Sequence, residues 1–171
     1  SYDQAIVIGT NAADAGRMQG DLIKEIFDAH PEYDLNGDGA IQYVMFQGEP
    51  DNNEAIARTQ YSVSQAEENG CIMERIGEIQ ACNWDTALSQ SAMEALLAAN
   101  EGKIELVIAN NDSMAIGCIA ALSNIGYNVE GGDKFIPVIG VDATDAAKDA
   151  IAKGTMSATV LQDGEAMGNA V

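Results

Sequence analysis

The sequence predicts a doubly wound α/β domain, with a mostly parallel sheet flanked by helices on both faces. Three observations lead to this prediction. Short apolar runs alternate with longer segments of helical periodicity, as five βα units followed by one more strand. Apolar residues make up 47% of the chain and aromatic residues only 5%, which suits a packed domain rich in Ala, Ile and Val. The 171 residues are enough for one sizeable core and one domain.

The first two strands and the helix between them have clear patterns. Residues 5–9 form an apolar run that ends in glycine, as a buried strand does. Residues 13–29 follow as a helix, and Pro31 ends it. We expect His30, at the end of this helix, to have a capping role rather than a catalytic one. Residues 41–47 form the second strand. The apolar side chains at helical spacing are Met18, Leu22, Ile23, Ile26 and Phe27.

The middle of the chain continues the alternation. A loop with turn signals leads into a helix at 54–69, which Gly70 closes. The third strand is predicted over 72–81, although its apolar pattern is imperfect. Asp85 is a plausible N-cap for the next helix, at 86–99.

The last third repeats the unit twice and adds a strand. Strands are predicted at 105–109, 135–141 and 155–161, and helices at 113–124 and 145–153. Gly and Asp residues mark the loops between them.

The stretch from Asp34 to Gln42 has the spacing of a calcium-binding loop. It fits D-x-[DN]-x-[DN]-G, with Gly39 where such a loop turns sharply. Calcium takes about 6–8 oxygen ligands, and alternate spacing lets one short loop supply several. The other interpretation is an acidic turn without metal. The expected ligands within the loop are the side chains of Asp34, Asn36, Asp38 and Gln42 and the backbone carbonyl of Ala40.

This loop lacks the bidentate glutamate of an EF-hand, because Met45 occupies the twelfth position. A strand also follows it, where an EF-hand has a helix. The loop precedes the second strand and Glu105 opens the fourth, so both lie at the amino end of the sheet. We therefore expect Glu105 to complete the site, with the alternative that it is a solvated strand-edge residue. Such an ion would be structural, because it would lie at the end of the sheet opposite the one where open parallel sheets bind ligands.

Polar and aromatic residues follow successive strands at the other end of the sheet, where ligands bind in open parallel sheets. The set contains no His, no thiol beside a base and no Ser relay. It suits a neutral, hydroxyl-rich ligand, since carboxylates, amides and a guanidinium satisfy hydroxyl groups and an indole covers the apolar face of a pyranose. The residues are Asn52, Asn53, Glu54, Arg58, Trp84, Asn111, Asp112, Asp142 and Gln162.

Each of these residues also has a simpler interpretation. Glu54 and Arg58 have the spacing of a surface ion pair on a helix. Asp112 and Asp142 could cap helices, and Trp84 could be half-buried core. Their coincidence on one edge of the sheet favours a binding site.

The charge excludes several classes of partner. With 27 acidic and 8 basic residues, the formal charge is −19, which disfavours nucleic acid, anionic membranes and phosphorylated ligands. No apolar run approaches the about 20 residues of a membrane span. The three cysteines lack zinc-site spacing; Cys71 and Cys82 could pair, and Cys118 fits core packing.

Five motifs together resemble the periplasmic glucose/galactose-binding proteins. They are D-L-N-G-D-G-A-I-Q at 34–42, Q-G-E-P followed by E-A-x-A-R at 47–58, N-W-D-T-A at 83–87, E-L-V-I-A-N-N-D at 105–112 and I-G-V-D-A at 139–143. They occur in the family's order and cover nearly the whole chain.

The resemblance implies a sugar-binding protein of an ABC importer, with a membrane permease and in some bacteria a chemoreceptor as partners, and no enzymatic activity. It implies the calcium ligands given above, Glu105 included. Asn52, Glu54 and Gln162 stand where the family commonly has His, Asp and Asn, which bears on the hexose preferred. The sugar contacts implied are Asn52, Glu54, Arg58, Trp84, Asn111, Asp142 and Gln162.

The motifs match only the second of the family's two lobes. We expect residues 1–163 to form this C-terminal sugar-binding lobe, and residues 164–171 to begin the segment that returns to the other lobe. The parent protein would be periplasmic, or a lipoprotein on the outer face of a Gram-positive cell. Two other functions stay open: the effector lobe of a sugar-responsive transcription regulator, and a carbohydrate hydrolase that uses Glu54 with Asp142.

Overall fold

The computed structural model describes residues 6–163, which form seven strands, five α-helices and one short 3₁₀ turn at Pro31–Tyr33. The strands are β1 (Ile6–Gly9), β2 (Ala40–Gln47), β3 (Ile72–Arg75), β4 (Gln80–Ala81), β5 (Leu106–Ala109), β6 (Val138–Val141) and β7 (Ala158–Gln162). The helices are α1 (Ala12–Ala29), α2 (Asn53–Glu68), α3 (Thr86–Ala99), α4 (Asp112–Ser123) and α5 (Asp145–Ala152). The predicted α/β class is confirmed.

The strands form one sheet in the order β1-β7-β6-β5-β2-β3, with β4 also beside β2. Every pairing among the described residues is parallel. After β2 the chain moves outward on one side to β3 and β4, and then returns to place β5 on the other side of β2. The carboxyl ends of β2 and β5 therefore flank a topological switch point, where open α/β sheets bind ligands.

Helices cover both faces of the sheet and define two halves of the core. On one face α1 and α2 pack together over buried residues of the sheet such as Met45 and Ile108. On the other face α3, α4 and α5 cover residues such as Val44 and Val107. Neighbouring residues of one strand thus serve opposite core halves, as the two-residue period of a strand requires. No helix in the described part is long and apolar enough to cross a membrane.

The α1–α2 contact depends on glycine. A Cβ added at Gly20 would lie 2.5 Å from the Cβ of Gln65 and 2.8 Å from the backbone nitrogen of Ala66. These distances are well below ordinary van der Waals contact, so the two helices approach too closely for alanine at this position.

Some of the helix caps agree with those predicted from the sequence and others do not. Asp85 accepts a hydrogen bond from Leu88 N at 2.8 Å and caps α3, as predicted. The His30 N–H donates to the carbonyl of Ile26 and closes α1, while its ring contacts Glu32. The alternative that Asp112 and Asp142 are caps is wrong, because Asn111 caps α4 and Thr144 caps α5.

The third strand differs from its prediction. Residues 72–81 form two short strands instead of one, because the chain turns away from β2 at Gly77, where φ is +71°. This turn explains the imperfect apolar pattern. The strands predicted at 135–141 and 155–161 begin only at Val138 and Ala158. Upstream of Val138, the Asn128 side chain replaces strand pairing: it accepts a hydrogen bond from the N–H of Ile136 and donates one to its carbonyl, both at 2.8 Å.

All three cysteines are free, so the Cys71–Cys82 pair does not form. Cys118 is fully buried in the core, as expected. The segment at 164–171, predicted to return to a second lobe, lies outside the described residues.

Candidate functional site

Asn110 joins the two sides of the switch point. It follows β5 and is fully buried. Its Oδ1 accepts hydrogen bonds from Gly48 N at 3.1 Å and from the hydroxyl of Thr59 at 3.3 Å. Because Gly48 follows β2 and Thr59 lies on α2, this one amide holds the ends of β2 and β5 and the start of α2 together.

Arg58 extends across the same edge from α2. Its side chain is only 5% exposed. Nη1 donates to the Asn110 carbonyl at 2.8 Å, and Nη2 donates to Gln162 Oε1 at 2.7 Å. Glu54 and Asp142 carboxylates lie 3.7 and 3.8 Å from Nη2. Its Nε is buried and has no hydrogen-bond partner among the described residues.

Trp84 forms the aromatic part of the edge. Asn83 and Trp84 both have positive φ, of 51° and 64°, a conformation that asparagine adopts more readily than most residues but that is rare for a side chain as large as tryptophan. The indole packs against the core on one side and is partly exposed. The Arg58 guanidinium lies 5.6 Å from the ring centroid, within cation–π range. Trp84 is therefore both a core contact and an exposed aromatic surface.

Asp142 and Ala143 form a turn with φ of 117° and 53°. A buried network supports this turn from below. The Thr159 hydroxyl donates to Asp112 Oδ1 at 2.7 Å and accepts from Ala143 N at 3.1 Å. Asp112 Oδ2 accepts from Thr144 N at 2.8 Å. The backbone that presents the Asp142 side chain is thus held by β7 and by the first turn of α4.

Two carboxyl groups of this region have shifted pKa values. Burial raises the pKa of Asp112, although its hydrogen bonds from Thr159 and Thr144 act in the opposite direction. Partial burial also raises the pKa of Asp142; the Arg58 guanidinium lowers it and the Glu54 carboxylate raises it further.

The structure brings five of the predicted ligand residues into one cluster: Glu54, Arg58, Trp84, Asp142 and Gln162. We call this cluster, with Asn111, the ligand rim. Asn111 caps α4, and its Nδ2 also approaches the Trp84 carbonyl at 3.5 Å. Asn52 caps α2, because its side-chain oxygen accepts from Glu54 N and Ala55 N. Its place in a binding site stays a prediction.

Sequence reasoning missed the support of the rim. The residues predicted for the site do not include four that support it: Asn110, Thr59, Thr159 and Gln19. Gln19 is fully buried and donates from Nε2 to the Ala109 carbonyl at 2.9 Å. A signal was present for Gln19, a polar residue on the apolar face of α1, but its partners lie about 90 or more residues away in sequence.

The acidic loop at the opposite end of the sheet is organised by its own side chains. Asp34 accepts hydrogen bonds from Gly37 N at 2.8 Å and Gly39 N at 2.9 Å. The side chains of Asn36 and Asp38 each accept from a backbone N–H two residues on. Among residues 6–163, no group of three or more His, Cys, Asp or Glu side chains is close enough to form a metal cluster.

Glu105 lies against this loop and is 1% exposed. Oε1 accepts from Leu35 N at 2.6 Å, and Oε2 accepts from Gln42 N at 3.1 Å. Burial raises the pKa of Glu105, these two N–H groups lower it, and the Asp34 carboxylate raises it. The loop and the buried Glu105 carboxylate offer the oxygen donors that a hard cation such as calcium takes, but Asp34, Asp38 and Glu105 do not form a close cluster in this structure. The alternative of a solvated strand-edge residue is wrong for Glu105.

The parallel sheet covered by helices on both faces is the fold of periplasmic binding proteins, and the chain belongs to the periplasmic binding protein domain family, whose model matches residues 1–171. The D-galactose/methyl-galactoside binding periplasmic protein of Haemophilus influenzae is 38% identical over 172 residues, which cover 100% of this chain and 50% of that protein. The chain spans about half the length of the curated relatives it matches.

Solved structures agree with this fold. An ABC transporter solute-binding protein from Bacillus halodurans, solved with bound myo-inositol, superposes with a TM-score of 0.67 and 28% identity, over 91% of this chain and 48% of that one. The arabinose-binding component of a Shewanella ABC transporter gives a TM-score of 0.73 at 22% identity, over 96% and 51%. The second similarity concerns the fold alone.

Proposed function

We propose that this chain is the C-terminal lobe of a sugar-binding protein that serves an ABC importer, and that its ligand is a neutral hexose of the glucose or galactose type. The observation that carries the proposal is the ligand rim, where Arg58 joins Gln162, Glu54 and Asp142 beside the Trp84 indole. This set alternates donors and acceptors next to an aromatic surface, which is the chemistry that a pyranose requires.

The state of Arg58 supports the same conclusion. Its Nη groups are used within the protein, whereas Glu54 and Asp142 have side chains that are 57% and 45% exposed. These carboxylates are held near a positive charge but keep oxygens free for hydroxyl groups of a ligand. The galactoside-binding relative favours a hexose, while the myo-inositol complex shows that related proteins take other cyclic polyols.

We further propose one structural calcium ion, held by Asp34, Asn36, Asp38, Gln42, Glu105 and the Ala40 carbonyl. The buried Glu105 carboxylate beside the loop supports it. The ion would join the entrances of two strands and would not take part in ligand binding. The protein as a whole would act in the periplasm or on the outer face of the cell membrane, with a membrane permease and in some bacteria a chemoreceptor as partners.

Calorimetric titration of the protein as the cell makes it, with galactose, glucose, arabinose and myo-inositol, tests the proposed function. We expect tightest binding to one of the two hexoses. Binding of none of the four sugars by the folded protein would contradict the proposal. Incubation with aryl glycosides tests the hydrolase alternative, and we expect no release of the aryl group.

A further inference from the structure

Gly48 lies directly beneath the Trp84 indole. It is the first residue after β2. A Cβ added to Gly48 would lie 2.3 Å from Cε2, 2.3 Å from Cζ2 and 2.6 Å from Cδ2 of Trp84. Carbon atoms in favourable contact are about 3.5–4.0 Å apart. The indole therefore occupies the space that any side chain at position 48 would need.

The backbone of Gly48 does not itself require glycine. Its φ lies outside the left-handed region, so an alanine could adopt the same conformation. Its N–H donates to Asn110 Oδ1 at 3.1 Å, a bond that alanine would keep. What the position requires is the absence of a side chain under the ring.

The backbone of Trp84 has little freedom to move away. It is the second of two consecutive residues with positive φ. The next residue, Asp85, is tied on both sides, since its N–H donates to the Cys82 carbonyl at 2.9 Å and its side chain caps α3. A methyl group at position 48 would therefore move the ring itself, outward by about 1 Å.

We propose that Gly48 is a positioning residue for ligand binding: by leaving its space empty, it sets how deeply the Trp84 indole lies in the ligand rim. The ring then presents its exposed face at a fixed height beside Arg58, 5.6 Å from the guanidinium. This inference rests on the proposed sugar-binding function, but the contact between Gly48 and Trp84 does not.

The test compares Gly48→Ala with Gly132→Ala in the protein as the cell makes it. Gly132 is a matched control because its φ is also outside the left-handed region and an added Cβ would lie 2.5 Å from Val129 Cγ2, in the loop before β6. The fluorescence of Trp84 without ligand is isolated as the difference between each protein and its own Trp84→Phe variant. We expect Gly48→Ala to shift this emission and Gly132→Ala to leave it unchanged.

Affinity for the preferred hexose provides the second measurement. We expect Gly48→Ala to weaken binding about tenfold or more. In a Trp84→Ala background the same substitution should change binding less than about twofold and should no longer lower the melting temperature, because the clashing ring is absent.

An unchanged emission, or an equal loss of affinity in both backgrounds, would overturn the role of Gly48. A shifted emission in a protein that binds no sugar would leave the contact standing and refute the proposed function instead. If Gly48→Ala alone fails to fold, recovery of the fold in the double variant supports the inference, and failure of both variants overturns it.

Discussion

The guanidinium of Arg58 is buried, yet its nearest carboxylates are 3.7 and 3.8 Å away and substantially exposed. Its closest partners are neutral oxygens of Asn110 and Gln162. A planar group with fixed donor directions can reach a carbonyl after β5 and an amide at the end of β7 at the same time. Arg58 therefore links α2 to the ends of two strands, and the carboxylates of Glu54 and Asp142 remain open to other hydrogen-bond donors.

This geometry predicts that Arg58→Lys weakens hexose binding more than tenfold and lowers the free energy of unfolding by about 1–3 kcal/mol. Lysine keeps the charge but cannot bond both oxygens in the same directions. Calorimetric titration and urea denaturation measure the two effects. Arg17→Lys is the control, since Arg17 is 43% exposed and forms an ion pair with Asp14 on the surface of α1. Native affinity in Arg58→Lys would contradict this role.

The raised pKa of Asp112 predicts that the free energy of unfolding depends on pH. Its folded pKa is raised above the ordinary value, so the folded state holds this proton more tightly than the unfolded chain. The contribution of Asp112 to the free energy of unfolding must then fall as pH rises from about 3.8 through its raised folded pKa. Urea denaturation across this pH range should show the decline in the native protein. The Asp112→Asn variant should lack this decline.

The same substitution should also lower stability by about 1–3 kcal/mol above the raised folded pKa, where the ionised carboxylate accepts from both Thr159 and Thr144 N and an amide can accept through only one of its two atoms. Asp51→Asn, in the exposed loop before α2, serves as the control. An Asp112→Asn variant as stable as the native protein would show that the network does not hold the turn at Asp142.

At the scale of elements, the close contact between α1 and α2 reverses the usual effect of replacing a helical glycine by alanine. Replacing glycine by alanine inside a helix usually stabilises by roughly 0.5–1 kcal/mol. Here the added Cβ would lie 2.5 Å from Gln65 Cβ, so we expect Gly20→Ala to destabilise by about 1–3 kcal/mol. Thermal unfolding by circular dichroism measures the sign, and a raised melting temperature would show that the helices can separate without cost.

Prediction from sequence was most successful for single elements. The alternation of apolar runs and helical periods identified the five helices that lie between residues 6 and 163, because these signals are local. The boundary at Gly77 was missed because the chain leaves β2 for the four residues between β3 and β4, and this break depends on pairing with β2, which is distant in sequence. The support of the rim was missed for the same reason: Asn110, Thr159 and Gly48 gain their roles only from strands distant in sequence.

At the scale of the whole molecule, the two proposed sites lie at opposite ends of the sheet. The carboxyl end carries the ligand rim and the amino end carries the acidic loop with Glu105. A cation at the amino end would stabilise the fold without touching the ligand.

The calcium proposal therefore predicts a loss of stability on chelation. An ion at about 100 times its dissociation constant adds about 2.7 kcal/mol. For a domain of this size, that corresponds to about 5–10 °C in melting temperature. Thermal melts with excess calcium and with chelator measure the difference. Glu105→Gln should lose most of it, whereas the exposed Glu101→Gln should retain it. Equal melting temperatures for the native protein in both conditions would refute the site.

The pairing of β1 with β7 also affects how the protein is made. Ile6 pairs with Thr159, so β1 and its neighbour are separated in sequence by nearly all of the described residues. At about 5–20 residues per second, a ribosome needs roughly 8–30 s to synthesise the intervening segment. During that time the apolar side chains of β1, Ile6 and Ile8, lack the neighbour that β1 has among the described strands. β1 can therefore pair with β7 only after β7 has been synthesised, and until then its apolar side chains remain open to aggregation.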